Sequence, residues 1–509
     1  MATQRAEISS GSNGVPRKVK NICCIGAGHV GGSTCAVIAS NNPDVVVTVV
    51  DLNVERIKAW NSEELPIYEP GLLKLVQQAR DGARPNLFFS KNMGSAIFEA
   101  DLIFVCVNTP TKQTGLGAGQ ALELDYLQAA IKRIAEVAQN DKIIVEKSTV
   151  PCRTAETIQG IFSASGRRGV RFTVLSNPEF LAAGTAVADL LHPDRVLIGR
   201  SKTPDGYAAA AALADVYAAW IPRDRIVTIN LFSSELAKLS ANALLAQRIS
   251  SINSLSAICE ATGADIDEVS YACGLDTRIG PSMLKASVGF GGSCFRKDVL
   301  SLCYLAESLD LPEVAAYWKG VIDMNEYQKD RFTTNIVSCL GHSLAKKLAV
   351  LGFTYKKDTN DTRESAAISI VSNLTAKGAS VSIYDPRAKM DQVWRDIDTY
   401  VSVSGSAYEA CMDAQAVIIL TEWDEFSNKP LGGALENAQR SSDNSSGHPS
   451  GASDLTGGDA SKKSKLDWAF VAKIMCPPKY VFDGRNVVDA GKLTELGFHV
   501  ECIGKPSMS

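Results

Sequence analysis

Lys20-Asn21-Ile22-Cys23-Cys24-Ile25-Gly26-Ala27-Gly28-His29-Val30-Gly31 is the stretch that decides the fold. Lys20 to Ile25 reads as a short buried strand, and the glycines then open a helical run from Gly32 to Ala39. A G-x-G-x-x-G pattern alone is a weak signal; between a strand and a helix it is a dinucleotide-binding turn. Its glycines let backbone approach a pyrophosphate at a helix N-terminus, where N–H groups and the helix dipole favour an anion. A second strand, Val45 to Val50, ends in Asp51, twenty residues after Gly31. A carboxylate there accepts hydrogen bonds from ribose hydroxyls and repels a 2′-phosphate, so the expected cofactor is NAD rather than NADP.

Further strand–helix units follow. Asp101 to Val107 reads as an apolar strand ending in Asn108-Thr109-Pro110-Thr111, and Lys142 to Glu146 as another, ending in Lys147-Ser148-Thr149-Val150-Pro151. In a doubly wound sheet ligands lie beyond the carboxyl ends of strands, so both polar endings are expected to border the cofactor. Phe172 to Leu175 leads to Ser176-Asn177-Pro178-Glu179-Phe180-Leu181. On local sequence Glu179 is equally a buried general base and a capping carboxylate.

Leu231 to Ala261 carries a long helix signal, with Ser233 or Ser234 as its expected cap and Gly263 closing it. Lys238 and Asn242 share one face of it, four residues apart. Taken alone, Lys238 reads as a lysine whose stem packs on apolar surface while its ammonium reaches water. A second α/β region starts at Lys347: a strand from Leu348 to Gly352, a basic loop through Tyr355, Lys356, Lys357 and Arg363, a helix from about Glu364 to Ala376, and a strand from Ala379 ending in Asp385. Strands at Ala416–Thr421 and Tyr480–Phe482 complete it, the latter followed by Asp483-Gly484-Arg485-Asn486.

The chemistry-bearing stretch is Gly289-Phe290-Gly291-Gly292-Ser293-Cys294-Phe295-Arg296-Lys297-Asp298, ahead of a helix-like run to Leu309. With Ser293 as N-cap, Cys294 is expected in the first helical turn, where the dipole favours a thiolate. Asp298, one turn on, shares its face. That pattern fits a covalent nucleophile with a carboxylate beside it. The alternative is a packing cysteine at a glycine-rich turn.

At 509 residues the chain is long enough for about three domains. Its 45% hydrophobic and 21% charged content is that of a globular protein, and a net charge of −4 invites neither nucleic acid nor a membrane surface. Thirteen cysteines without the spacing of a small disulfide framework imply reduced thiols and a cytoplasmic location. Five scattered histidines give no metal-ligand spacing, so no metal is expected. The expected fold class is α/β, two Rossmann-like doubly wound domains joined by a long central helix and a helical middle domain. Expected boundaries are a disordered tail at 1–18, an NAD-binding domain at 19–228, a central helical domain at 229–330, and a second Rossmann-like domain at 331–504. The last carries a flexible Gly/Ser/Asp-rich insertion at 432–464, and a loose tail spans 505–509.

Between Val19 and Gly504 the stretches IGAGHVGGSTCAVIA, VNTPTK, VEKSTVP, SNPEFLA, SELAKLSANALLAQRISSINS, GFGGSCFRKDVL, KKDTNDTRES and FDGRN occur in order. Together they resemble the UDP-glucose/GDP-mannose dehydrogenase family, in its eukaryotic, UDP-glucose-oxidising branch. The resemblance implies that the middle domain at 229–330 dimerises and that the domain at 331–504 binds UDP. It implies oxidation of UDP-glucose to UDP-glucuronate with two NAD⁺ and one water, in a homo-oligomer (dimer or hexamer). It implies Cys294 as nucleophile, Asp298 as its partner for the water step, Lys238 and Asn242 on the oxyanion, and Thr149 and Glu179 on catalytic water. Implied cofactor contacts are Gly26, Ala27, Gly28, His29, Val30, Gly31, Asp51 and Arg56 in the first two units. They continue through Val107 to Thr111, with Asn108, Thr109 and Pro110 between, through Ser148, Thr149 and Val150, and at Arg363. Implied substrate contacts run through Glu179, Phe180, Leu181, Ala182 and Ala183, then Lys238, Asn242, Arg278 and Lys285. They go on through Ala286, Ser287, Val288, Gly289, Phe290 and Gly291, and end at Tyr355, Lys356 and Arg485. Two residues depart from the family pattern: Ala183 stands where many relatives have glutamate, and Asn360 replaces a common glycine, its left-handed conformation being open to asparagine. Competing readings are a dehydrogenase of UDP-N-acetylmannosamine or GDP-mannose, a one-hydride dehydrogenase, and a non-catalytic nucleotide-sugar-binding regulator.

Overall fold

A computed structural model describes residues 18–165, 169–341, 344–429 and 465–506. Contacts group the chain into two compact units. Among the described residues, the first comprises those up to 67, 72–109 and 123–238; the second holds 68–71, 110–122 and those from Leu239 on, the helical middle included.

The first unit is built on β1 (Asn21–Ile25), β2 (Val46–Val50), β3 (Leu87–Ser90), β4 (Leu102–Val105), β5 (Lys142–Glu146), β6 (Phe172–Ser176), β7 (Val196–Arg200) and β8 (Ile226–Asn230). Their order is β3-β2-β1-β4-β5-β6-β7-β8. The six strands from β3 to β6 are parallel; β7 runs against β6, and β8 parallel to β7. Side chains alternate across the pleat. Ile22 and Cys24 join the core under the helices His29–Asn41 and Pro204–Tyr217. Cys23 and Ile25 join the opposite core under Asp125–Val137 and Thr154–Ala164. The chain order reverses between β1 and β4, so ligand chemistry is expected beyond the carboxyl ends of these two strands.

The second unit repeats this layout. Its strands are β9 (Lys347–Leu351), β10 (Ser380–Tyr384), β11 (Ser402–Val403), β12 (Ala416–Ile419), β13 (Tyr480–Asp483) and β14 (His499–Cys502). Their order is β11-β10-β9-β12-β13-β14, all parallel. Leu348 and Val350 face one core and Ala349 and Leu351 the other. The helices Phe295–Ser308 and Pro312–Leu340 pack with Ala243 and Ala246 of the long helix in a separate apolar cluster.

The long helix spans Leu231–Thr262 and ends at Gly263, whose φ of +80° suits a residue without Cβ. Its start differs from expectation. Asn230 accepts the N–H groups of Phe232 (3.0 Å) and Ser233 (3.3 Å), whereas the Ser234 hydroxyl is buried and donates to Ser176 Oγ at 3.0 Å. In the basic loop the left-handed residues are Asp358 and Glu364, not Asn360. Lys505, in the expected loose tail, pairs with Asp265 (3.2 Å) and Asp267 (2.7 Å). The insertion expected at 432–464 lies outside the described residues.

Candidate active site

In the first unit the glycine turn is shaped by close backbone contact. Gly26 has φ +110°, its N–H donates to Val50 O at 2.8 Å, and an added Cβ would meet Cys106 O at 2.3 Å. A Cβ on Gly31 would lie 2.0 Å from Gly26 O, so this glycine closes the helix onto the turn. Gly28 differs: a Cβ there meets nothing within 4 Å, and it caps the His29–Asn41 helix without a side-chain bond. The turn therefore presents backbone N–H groups at a helix N-terminus with open space before them, which fits a dinucleotide pyrophosphate. His29 and Val30 form the first helical turn.

Asp51 follows β2. Its Oδ2 accepts the Ala27 N–H at 2.8 Å and lies 3.1 Å from Arg56, and its Oδ1 accepts the Asn53 N–H at 2.8 Å. Sequence reasoning missed Trp60, whose indole N–H donates to Ala27 O at 2.9 Å and whose ring fills the space beside Gly32. No local pattern announces a contact made to backbone so far along the chain.

The two polar strand endings are tied together. Ser148 Oγ donates to Val107 O at 2.7 Å, and Thr109 Oγ1 to Thr149 O at 2.7 Å. Asn108 is exposed and Val150 buried. Pro110 and Thr111 belong to the second unit, where Thr111 pairs with Leu122 in an isolated bridge.

Glu179 is resolved as an ion-paired carboxylate. Its Oε1 lies 3.1 Å from Lys238 Nζ, the side chains being 8% and 4% exposed, and its Oε2 accepts the Leu181 N–H at 2.6 Å. Burial pushes the Glu179 carboxyl up, but Lys238 and the Leu181 N–H outweigh it and hold it below its ordinary value. Lys238 is thus a buried cation rather than a surface lysine, with its ammonium 5.4 Å from the centre of the Phe180 ring. The Arg195 guanidinium also stacks on this ring, at 3.8 Å. Ala182 donates its N–H to Asp189, and Ala183 is half-buried.

In the second unit Cys294 is exposed and is itself the N-cap of the Phe295–Ser308 helix. It stands one position earlier than expected, because Ser293 makes no cap; its Oγ is 3.8 Å from Cys294 Sγ. The glycines before it allow tight packing. A Cβ on Gly291 would be 2.4 Å from Glu364 O, and one on Gly292 (φ +85°) 3.0 Å from the Tyr355 ring. The Gly292 N–H donates to Arg363 O at 3.0 Å. Asn325, also missed, brackets the Phe290 peptide, accepting its N–H at 2.8 Å and donating to its carbonyl at 3.1 Å. Asp298 is wholly buried; Asn242 Nδ2 donates to its Oδ2 at 2.6 Å and Lys297 Nζ to its Oδ1 at 2.7 Å.

The run Ala286, Ser287, Val288, Gly289 and Phe290 is buried, pinned by Asn253 to the Ser287 N–H and by the Gly484 carbonyl to the Val288 N–H. Lys285 is exposed, and Arg278 lies on the surface with its guanidinium on Asp276. Arg485 donates to Tyr355 O at 2.9 Å and Leu420 O at 2.7 Å, gathering three loop ends at one point. The Lys356 ammonium lies 6.0 Å from the Tyr355 ring centre. Arg363 is engaged by Asp361 through two bonds, at 2.8 and 2.7 Å.

The models of the UDP-glucose/GDP-mannose dehydrogenase family match residues 20–221 (NAD binding domain), 232–327 (central domain) and 349–441 (UDP binding domain). The chain belongs to this family. It is 51% identical over 506 residues to UDP-glucose 6-dehydrogenase 3 of Arabidopsis thaliana, covering 95% of this chain and 97% of that one. It is 50% identical over 498 residues to UDP-glucose 6-dehydrogenase of Drosophila melanogaster, covering 95% and 96%. The solved UDP-glucose dehydrogenase of the archaeon Pyrobaculum islandicum superposes with a TM-score of 0.77 at 27% identity, over 97% of this chain and 100% of that one. The glycine turn and Asp51 accordingly lie in the family's NAD-binding domain, and β10 to β12 in its UDP-binding domain.

Proposed function

We propose that this protein oxidises UDP-glucose to UDP-glucuronate, reducing two NAD⁺ and consuming one water. The observation that carries the reading is Cys294, an exposed thiol at a helix N-terminus behind three closely packed glycines. A dehydrogenase that stops at an aldehyde has no use for such a thiol; one that proceeds to an acid must hold the aldehyde. The names of the half-identical relatives point to the same substrate.

Bound NAD⁺ supplies the hydride acceptor for both oxidations. The Cys294 thiolate adds to the C6 aldehyde, forming a C–S bond and an alkoxide. The Lys238 ammonium and Asn242 amide, one turn apart on the long helix, stabilise that negative charge; each such donor lowers a barrier by about 2.7–4 kcal/mol. Loss of the second hydride leaves a thioester at C6. Water held by Thr149 and Glu179 adds to it, the C–S bond breaks, the thiolate is restored, and Asp298 takes the proton. Tyr355, Lys356 and Arg485, with Arg278 and Lys285, hold the nucleotide.

The protein is further proposed to act as a cytoplasmic homo-oligomer. Leu244, Leu255 and Ile258 stand exposed along the long helix, and none of the thirteen cysteines is in a disulfide. No helix among the described residues is long and apolar enough to cross a membrane. The test is the NADH yield per UDP-glucose consumed, beside UDP-N-acetylmannosamine and GDP-mannose. Two NADH from UDP-glucose alone supports the reading; one NADH, or preference for another nucleotide sugar, overturns it.

A further inference from the structure

The proposed mechanism leaves one buried pair of ionisable groups in the first unit unused. Glu146 ends β5, and Glu235 lies in the first turns of the long helix, three residues before Lys238. Both are almost completely shielded from water. Glu235 is well satisfied: its Oε2 accepts the Arg153 N–H at 2.6 Å and its Oε1 the Ala155 N–H at 2.8 Å, holding the start of the Thr154–Ala164 helix from a distance. Glu146 has no such support. Neither of its carboxylate oxygens meets a donor among the described residues, and the side chain facing it is Glu235.

Two carboxylates cannot both be ionised in a dry site without a cation between them. The nearby charges do not supply one. The Arg153 guanidinium turns outward to Glu156 at 2.8 Å, the buried Lys147 ammonium is spent on Asn177 at 3.1 Å, and Lys238 is on Glu179. Cys152 donates to Phe232 O. Register fixes the pair. Glu146 lies opposite Ser176 in β6, and Ser176 receives the hydroxyl of Ser234, the residue before Glu235.

We propose that Glu146 and Glu235 share one proton, and that this acid–carboxylate pair is the joint fixing the Lys238 turn of the long helix against the strand end that carries Ser148 and Thr149. Glu146 holds the proton, because Glu235 must keep both oxygens as acceptors for two N–H groups. Burial, then the Glu235 charge, pushes the Glu146 carboxyl far up, in the same direction. Glu146 and Glu235 are positioning residues: they act through Lys238 and Thr149, and this part rests on the function proposed above.

The shared proton is tested without activity, by an infrared difference spectrum at neutral pH between the wild type and Glu146→Gln. Loss of a protonated-carboxyl C=O band is expected; loss of an ionised-carboxylate band overturns the proposal. Positioning is tested by comparing Glu146→Gln, whose amide still donates to Glu235, with Glu146→Leu, which donates nothing. The Gln variant should keep kcat within about threefold of wild type. The Leu variant should lose at least about tenfold in kcat with little change in the KM for UDP-glucose, since small misplacement of a charged group costs up to about a hundredfold. Equal kcat in the two folded variants overturns the joint. If Glu146→Leu does not fold, an unimpaired or a lost kcat in Glu146→Gln still decides. A wild type that leaves UDP-glucose unoxidised refutes the proposed function, while the infrared arm still decides the proton.

Discussion

Lys238 Nζ lies 3.1 Å from Glu179 Oε1, both side chains more than nine-tenths shielded from water. A lone ammonium or carboxylate at this depth would shed its charge; the pair keeps both ionised. Breaking it by Lys238→Ala leaves a buried, uncompensated carboxylate and should cost about 3–5 kcal/mol of stability, read by denaturant unfolding. Catalysis should fail as well if Lys238 is the proposed cation for the oxyanion.

The pH dependence of this pair has a definite sign. The folded-state pKa of Glu179 is depressed, so its contribution to stability is present above the ordinary carboxyl value of 4.5 and is lost as pH falls through the lower folded value. Wild-type stability should therefore decline in acid below about pH 4.5. Glu179→Gln should be less stable at neutral pH and should show a shallower acid slope, measured by unfolding midpoints across that range.

Glycines at 28 and 291 should respond differently to alanine. Gly291→Ala drives a Cβ to 2.4 Å from the Glu364 carbonyl, so backbone must move and the Cys294 loop with it. Gly28→Ala has open space in the free protein. Its melting temperature should be near that of the wild type, while the thermal shift produced by NAD⁺ should largely vanish, because the methyl group occupies ground that the pyrophosphate needs. A normal NAD⁺ shift in Gly28→Ala would remove the glycine turn from the cofactor site.

Asp51 should set the choice of cofactor. Its carboxylate is already tethered to the Ala27 N–H and Arg56, so it cannot swing away from an added phosphate. Values of kcat/KM with NADP⁺ should fall far below those with NAD⁺; comparable values would contradict the assignment.

Much of this was legible because it is local. The strand–glycine–helix stretch at Asn21–Asn41 carries its own period and turn chemistry, and it announces the sheet built on it. The second sheet repeats the device without the fingerprint: Gly352 donates to Tyr384 O at 2.8 Å, as Gly26 does to Val50 O, and Asp385 accepts the Phe353 N–H as Asp51 accepts that of Ala27. What escaped reading depends on contacts between distant segments. Glu179 was ambiguous because its partner lies on another element. Trp60 and Asn325 bind backbone of glycine loops far from them in sequence, and the short strands β3, β7, β8, β11 and β14 are set by pairing rather than by pattern. The cap at Asn230 was missed for a simpler reason: Ser233 and Ser234 offered better-looking hydroxyls, and burial claimed one of them.

Asp298 should govern release of the acid. It is buried and held in place by Asn242 and Lys297, so Asp298→Asn removes a base while keeping much of the shape. Thioester hydrolysis should slow, and intact-mass analysis of quenched enzyme should find a UDP-glucuronyl adduct on Cys294. An adduct no more abundant than in the wild type would assign the water step elsewhere.

Covalent catalysis through Cys294 is tested most simply by steady-state UDP-glucuronate formation by Cys294→Ala. The substitution removes a thiol at an exposed helix N-cap and opens no buried cavity, so the variant should fold and bind both NAD⁺ and UDP-glucose. Almost no UDP-glucuronate should form. Substantial production by the well-folded variant would contradict a covalent mechanism through Cys294.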